Sequence, residues 1–260
     1  MNRTFNFCKR NIKEMLRDPV IYIFCLGFPV AMMLLFNILN KYTGSHTPMF
    51  EMRALLPAII MFSYTFVMLT TSLLVSKDRQ TFFLKRLYSS PMKSHDFALG
   101  YAIVGLGVGL AQTVICVLTG FILCAISGET FVSFGQVLLL ALSQLPILIA
   151  FVFFGVFFGT VLNDKSAPGI CSILISAAGI LGGCWMPIES MGGFETFARF
   201  LPFYPSVYIG RAITKGVSAM GTVYTFDNVA LLGIIPIAVF TLASVVLSFI
   251  FFKKDMVSDK

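Results

Sequence analysis

The chain has 260 residues, 57% of them hydrophobic and only 12% charged, with 28 Phe and a net charge of +7, whereas an ordinary soluble domain carries roughly 25% charged residues. Polar surface is too scarce to cover a water-soluble core, so the lipid bilayer is the expected solvent, and a soluble basic face for nucleic acid is excluded. Six windows hold no Asp, Glu, Lys or Arg, at 20–40, 54–76, 97–128, 130–163, 166–188 and 228–252; each is long enough to cross the hydrocarbon, which takes about 20 helical residues, and together they leave no room for a soluble catalytic domain.

Residues 3–17 come first. At 3.6 residues per turn Phe5, Cys8, Ile12, Met15 and Leu16 fall on one face, with Arg3, Arg10, Lys13 and Arg17 opposite and Lys9 at the margin. This pattern predicts an amphipathic helix in the interface, its basic side toward anionic headgroups, unless the segment is a plain basic anchor with no defined helix. Asp18-Pro19 then turns the chain, and Pro19 suits the first position of a spanning helix. The window 20–40 is too long for a signal-peptide core and no small-residue cleavage site follows it, so it reads as a retained span.

The second and third windows flank KDRQTFFLKRLYSSPMKSHD at 77–96, a stretch dense in charge for this chain. Arg79 to Tyr88 is predicted helical, with Phe83, Leu84, Leu87 and Tyr88 on one face and Ser89, Ser90 and Pro91 as the stop. An apolar ridge beside Arg79, Lys85 and Arg86 suits a protein contact or a helix lying on anionic lipid. Gly105, Gly107 and Gly109 in the third span, and Gly155 with Gly159 in the Phe-rich fourth, suggest close helix contacts. Pro57, Pro146, Pro168 and Pro236 read as kinks or span starts. The stretch 187–227 is too polar to span yet rich in apolar residues. Phe194, Phe197, Ala198 and Leu201 recur at helical spacing, and a second short helix follows over 206–214. Both dip into the outer leaflet or rest on it as an interfacial loop.

With six spans both termini share one side. That side holds 14 of the Lys and Arg residues, in 3–17, 77–96, Lys165 and 253–260; the opposite side holds 5, namely Lys41, Arg53, Arg199, Arg211 and Lys215. The asymmetry predicts cytoplasmic termini in the cell membrane. The expected fold is thus an all-α polytopic membrane protein with six transmembrane helices, an N-terminal amphipathic interface helix and short outer re-entrant helices before the last span. It forms a single transmembrane domain over 1–260 with no nucleotide-binding domain.

The six cysteines are isolated, with no CxxC and no Cys/His cluster, and they read as small buried hydrophobes with no metal or other cofactor implied. No HExxH, paired carboxylates or Ser/His set lies at membrane depth, and no GxxxxGK[ST] loop is present, so enzyme readings find no support. The cores also lack the titratable groups that proton-coupled carriers need. A transporter with such spans draws its energy from outside them, although backbone carbonyls at broken helices still leave a sodium-coupled carrier open.

The segments RQTFFLKRLYSSPMKSHDFALGY at 79–101 and PI…LPFYPS at 187–206, with the basic interface helix and six spans, resemble the ABC-2 type permeases. These are membrane subunits of ATP-binding cassette exporters such as the daunorubicin, nodulation-factor and related multidrug or polysaccharide exporters. The likeness rests most on Leu84, Arg86, Leu87, Ser90, Pro91 and Gly100. It implies that the loop between spans two and three carries a coupling helix that docks in a separate cytoplasmic ATPase. The interface helix adds to that contact, and two permeases, identical or homologous, work with two ATPases. Carried onto this chain, the coupling residues are Arg79, Phe83, Leu84, Arg86 and Leu87, with Ser90 and Pro91 setting the helix end. The resemblance also implies a substrate path between spans two and five of both copies, here offering Phe62, Phe66 and Met68, then Ser172, Ser176 and Trp185, with Tyr64 and Thr70 nearby. Such a surface suits an amphipathic or apolar compound (drug, lipid-like molecule, glycan or peptide) better than an ion. A non-transporting membrane scaffold or immunity protein is the other reading of the same spans.

Overall fold

The computed structural model describes residues 2–19, 21–42, 47–81, 83–84, 93–128 and 130–258. Helix α1 is Asn2–Met15. A turn at Leu16 and Arg17 leads to a π-helical segment, Ile21–Gly27, that runs directly into α2, Phe28–Tyr42. Pro29 offers no N–H to the carbonyl four residues back, and the widened π turns precede it. The remaining long helices are α3 (Met52–Gln80), α4 (Ser94–Ser127), α5 (Phe134–Val161) and α9 (Asn228–Ser258), with the shorter α6 (Ala167–Leu181), α7 (Gly193–Arg199) and α8 (Phe203–Thr214) between. The fold is all-α and polytopic. Pro57, Pro146 and Pro236 lie inside helices, and Pro168 sits in the first turn of α6.

Among the described residues, five stretches are long and apolar enough to cross a membrane: the first span at Ile21–Lys41, then α3, α4, α5 and α9. The sixth window, 166–188, is helical only over α6, whose 15 residues reach about 22 Å of a hydrocarbon core about 30 Å thick. Gly182 and Gly183 end it, Gly183 with φ +66 in the left-handed region. The apolar residues beyond, Cys184 and Ile188, are buried in the bundle instead of extending the helix. Irregular backbone is tolerated at such depth when protein satisfies it. Here the Gly182 and Gly183 amides bond back to Ala178 and Ile180, and the Gly183 carbonyl accepts from Arg211.

Helix α3 is the axis. Its most apolar window is 94% buried, against 22% for α9 and 28% for the first span, and it packs on α2, α4, α5, α6 and α8. Lipid tails are as apolar as leucine, so close packing decides such contacts. Helix α5 fits tightly because a Cβ at Gly155 would lie 2.6 Å from the Met68 carbonyl oxygen, and one at Gly159 2.6 Å from that of Ser72. The predicted small-residue interface is therefore real on α5. On α4 it is selective: a Cβ at Gly109 would strike Leu148, whereas Gly107 faces open space.

The two short helices expected before the last span are α7 and α8. Helix α8 is sunk among α3, α5 and α9, and most of its residues are buried. Gln144 of α5 donates to the Ser206 carbonyl and accepts from its hydroxyl, both at 2.9 Å, satisfying the deep end of α8 inside the bundle.

Candidate functional site

Helix α1, the last turns of α9, the end of α3 and the start of α4 meet at one end of the bundle. Helix α1 docks there on α4: Phe7 sits edge-on to Phe97 and Tyr101 with centroids 5.5 and 5.0 Å apart. A Cβ at Gly100 would come 2.5 Å from Phe7 Cδ1, so the glycine in the motif makes room for that ring. The apolar face predicted for α1 divides in two. Cys8 and Met15, with Phe7 and Asn11, are buried against the bundle, while Phe5, Ile12 and Leu16 form an exposed ridge. Lys9, Lys13 and Arg17 follow around the helix, also exposed. One face of α1 is thus anchored to protein, one offers apolar side chains and one offers charge.

The anchor is electrostatic as well as apolar. Asp78, on the last turns of α3, is 1% exposed. Arg10 grips its carboxylate with both Nη atoms, Nη2 to Oδ1 at 2.8 Å and Nη1 to Oδ2, and Tyr101 donates its hydroxyl to Oδ2 at 2.6 Å. Arg10 also pairs with Glu14 at 2.6 Å, donates to Asn11 Oδ1 at 2.9 Å and lies 4.1 Å over the Phe83 ring. Burial works against the Arg10 charge, but the hydrogen bond and charge of Asp78, and then Glu14, outweigh it and raise the guanidinium above its ordinary value. Bidentate guanidinium–carboxylate pairing fixes geometry as well as charge. Arg10, Asp78 and Tyr101 were not singled out as a site from the sequence. The available signal was Asp78 itself, an acidic residue where a charge-free helix enters a basic loop.

The expected coupling residues fall as follows. Arg79 does not open a separate loop helix: α3 runs unbroken to Gln80, and Arg79 is tied inward to Asp255 at 3.0 Å and to the Gly159 and Leu162 carbonyls. Nothing in 77–80 breaks the helix, and those partners hold its last turn against α9 and α5. Phe83 is half-buried beneath Arg10, and Leu84 is buried in the core. Arg86, Leu87, Ser90 and Pro91 lie outside the described residues. Beside this end a cleft of about 730 Å³ opens between α1 and α3, lined by Lys9, Arg10, Lys13, Glu14, Arg17 and Lys77 among others, and its charge is predominantly positive.

The six residues of the expected substrate path do not share one surface. Phe62, Phe66 and Trp185 belong to an aromatic cluster with Phe28 and Phe36, with Phe62–Trp185 at 4.6 Å, Phe28–Phe66 at 4.8 Å and Phe36–Trp185 at 5.4 Å. Met68 is buried on the opposite flank of α3, against Gly155 of α5. Ser172 and Ser176 lie on the exposed face of α6, where Ser172 donates to the Pro168 carbonyl at 2.7 Å.

At the far end of the bundle Arg211, counted from sequence among the loop cations, is 1% exposed. It donates to the Ala54 carbonyl at 3.1 Å, the Gly183 carbonyl at 2.8 Å and Tyr224 Oη at 3.2 Å, and lies 3.8 Å from Glu189. Tyr224 in turn donates to Glu189, and burial first, with that carboxylate, raises its phenol above the ordinary range. Arg211 thereby fastens the start of α3, the segment after α6 and α8 to one another. Arginine suits such a place because its fork reaches several acceptors at once.

The described residues form a polytopic bundle of apolar helices around a buried axial helix, the architecture of an integral membrane protein, with a polar clamp at one end. The family model for ABC-2 type transporters matches residues 3–214. The chain belongs to that family, whose members are the permease subunits of ABC transporters and typically work with an ATP-binding cassette subunit. No curated protein matches the chain.

Proposed function

We propose that this chain is the membrane subunit of an ATP-driven exporter, powered by a separate cytoplasmic ATPase that docks at the terminal end. The observation that carries this reading is that α3, enclosed along its length, is tethered by arginines at both ends: Arg10 to Asp78 and Arg79 to Asp255 at one, Arg211 to the Ala54 carbonyl at the other. A stiff helix held in this way carries displacement from one end of the bundle to the other, and its terminal tethers adjoin the loop that the family likeness assigns to coupling.

In this reading the positive cleft, the basic face of α1 and the 79–91 segment, with Arg86, Leu87, Ser90 and Pro91, receive the ATPase. Nucleotide-driven closure of the ATPase pair pushes on α1 and the loop, and the Arg10–Asp78 clamp passes that push to α3. Two copies, or this chain and a homologous permease, face each other through α6, whose exposed Ser172 and Ser176 border the path of an amphipathic or apolar compound; the Phe62–Phe66–Trp185 cluster supports it from behind. The excess of Lys and Arg at the terminal end supports a cytoplasmic position for that end.

Copurification from the native membrane tests the reading. It is expected to recover a nucleotide-hydrolysing partner, and Leu87→Asp is expected to abolish both the association and nucleotide-dependent export by the purified complex. Sustained uphill movement of a compound by this chain reconstituted without any nucleotide-hydrolysing companion overturns it.

A further inference from the structure

A second groove, of about 1120 Å³, lies on the outside of the bundle at the far end, between α5, α8 and the hairpin that closes at Val217 and Val223. Helices α5 and α8 run antiparallel along it: Gln144 meets Ser206 at the deep end, and Gln136 donates to the Ile213 carbonyl at 3.0 Å near the rim. Leu139, Leu142, Ile209 and Ile213 line its walls, whereas Ser133, Thr225 and Lys215 stand at the mouth. From Ser133 to Leu142 the groove follows α5 for about 14 Å at the rise of an α-helix. It is therefore mostly apolar toward Leu142, where the Ser143 hydroxyl is satisfied by the Leu140 carbonyl, polar toward Ser133 and aligned with a membrane-crossing helix.

Charge adds to this shape. Among the described residues that line the groove, Lys215 is the only charged one. It is exposed, and it caps α8 with φ 55, the only non-glycine among the described residues with a positive φ. Glycine or asparagine is usual at such a helix end, and a side chain retained in the left-handed region points to use of that side chain. The neighbouring Gly216 is not in that conformation; it is pressed against Ala54, whose Cα would lie 2.9 Å from an added Cβ. Lysine near a helix C-terminus also complements the helix dipole, but that benefit is available from any position in the last turn and does not call for the strained one.

We infer that this groove holds an acyl chain of an anionic phospholipid from the leaflet at the far end, with the lipid phosphate against Lys215. The inference rests on the membrane fold alone and not on the exporter reading, so the two fail separately.

The test uses the full chain in phosphatidylcholine bilayers carrying a trace of phosphatidylglycerol or phosphatidylcholine, each with a photoreactive diazirine in the acyl chain. Labelled residues are mapped by mass spectrometry. One lysine near the surface contributes about 1 kcal/mol toward anionic lipid, which is about fivefold in occupancy. Phosphatidylglycerol is therefore expected to label Leu139, Leu142, Ile209 and Ile213 about fivefold more than phosphatidylcholine does. Lys215→Glu is expected to erase that preference. Lys215→Gly is expected to erase it as well while leaving thermal stability unchanged or higher, because the left-handed backbone is relaxed. Equal labelling by the two lipids overturns the inference. So does a preference that survives Lys215→Gly, or labelling that avoids the groove, including displacement by an exported amphiphile with no dependence on headgroup charge.

Discussion

Arg10 makes two ion pairs, a hydrogen bond and a cation–π contact within one turn of the terminal end. Removing it leaves Asp78 buried with Tyr101 as its remaining donor from outside α3 in this network. Breaking a buried pair from one side costs about 3–5 kcal/mol, and the partial exposure of the Arg10 side chain lowers the expected loss for Arg10→Ala to about 2–3 kcal/mol. Thermal unfolding of the detergent-solubilised chain measures it. Arg10→Ala/Asp78→Asn is expected to recover much of the loss, because no uncompensated charge remains; a double-mutant cycle reads the coupling directly. The clamp was only half legible in the sequence. The charges stand in the quoted loop and in α1, but 68 residues separate Arg10 from Asp78, and no local pattern pairs residues so far apart.

Among the helices, the glycines of α5 and the arginine of α8 make contrasting tests. Gly159→Leu forces a side chain into the Ser72 carbonyl and Val75, where the neighbouring atoms are backbone and a stiff β-branched residue. Overpacking of this kind costs about 1–3 kcal/mol or more, whereas Gly107→Leu, which faces open space, is expected to be near neutral. Comparing the two variants by thermal unfolding checks that Gly159 lies in a tight contact and that Gly107 does not. Arg211→Met removes the side-chain donor from the Ala54 and Gly183 carbonyls and leaves the half-buried Glu189 with Tyr224 but without its cation, with an expected loss of about 3–5 kcal/mol. Arg211→Lys retains charge without the fork and is expected to recover only part of it. Helices α7 and α8 were readable from the spacing of Phe194, Phe197, Ala198 and Leu201 and from the short helix expected over 206–214, although α8 begins three residues earlier, at Phe203. That α8 enters the bundle was not, because an aromatic-rich amphipathic segment has the same pattern whether it covers lipid or protein. The early end of α6 was hidden for a related reason: Cys184 and Ile188 are as apolar in a folded-back segment as in a span.

For the molecule as a whole, the described ends of α1 and α9 lie on one side of the bundle, joined through Phe97, which contacts both Phe7 and Phe252. In intact cells, single-cysteine variants at Lys9 and Lys253 in a background lacking the six native cysteines are expected to resist a membrane-impermeant thiol reagent, while one at Met220 in the far-end hairpin reacts. Labelling of the first pair would reverse the orientation drawn from the distribution of basic residues. On the proposed exporter reading, loss of the Arg10–Asp78 clamp is expected to uncouple: the ATPase stays bound and hydrolyses nucleotide while export falls, which distinguishes a clamp that transmits force from a surface that only binds.

The sequence by itself determined that the chain lives in a membrane, how its apolar windows are spaced and where its charge gathers, because composition and helical periodicity are local properties that the bilayer reads directly. Only the tertiary structure decided which helix stands at the centre. The most apolar stretch of α3 is less hydrophobic than that of α9, yet α3 is the enclosed one. Hydrophobicity does not sort helices in a solvent as apolar as they are. Ser63, Thr65, Thr70, Thr71, Ser72 and Ser76 make α3 the less apolar helix and narrow enough in places for α5 to approach its backbone, so it is enclosed by protein while the more hydrophobic helices face the lipid.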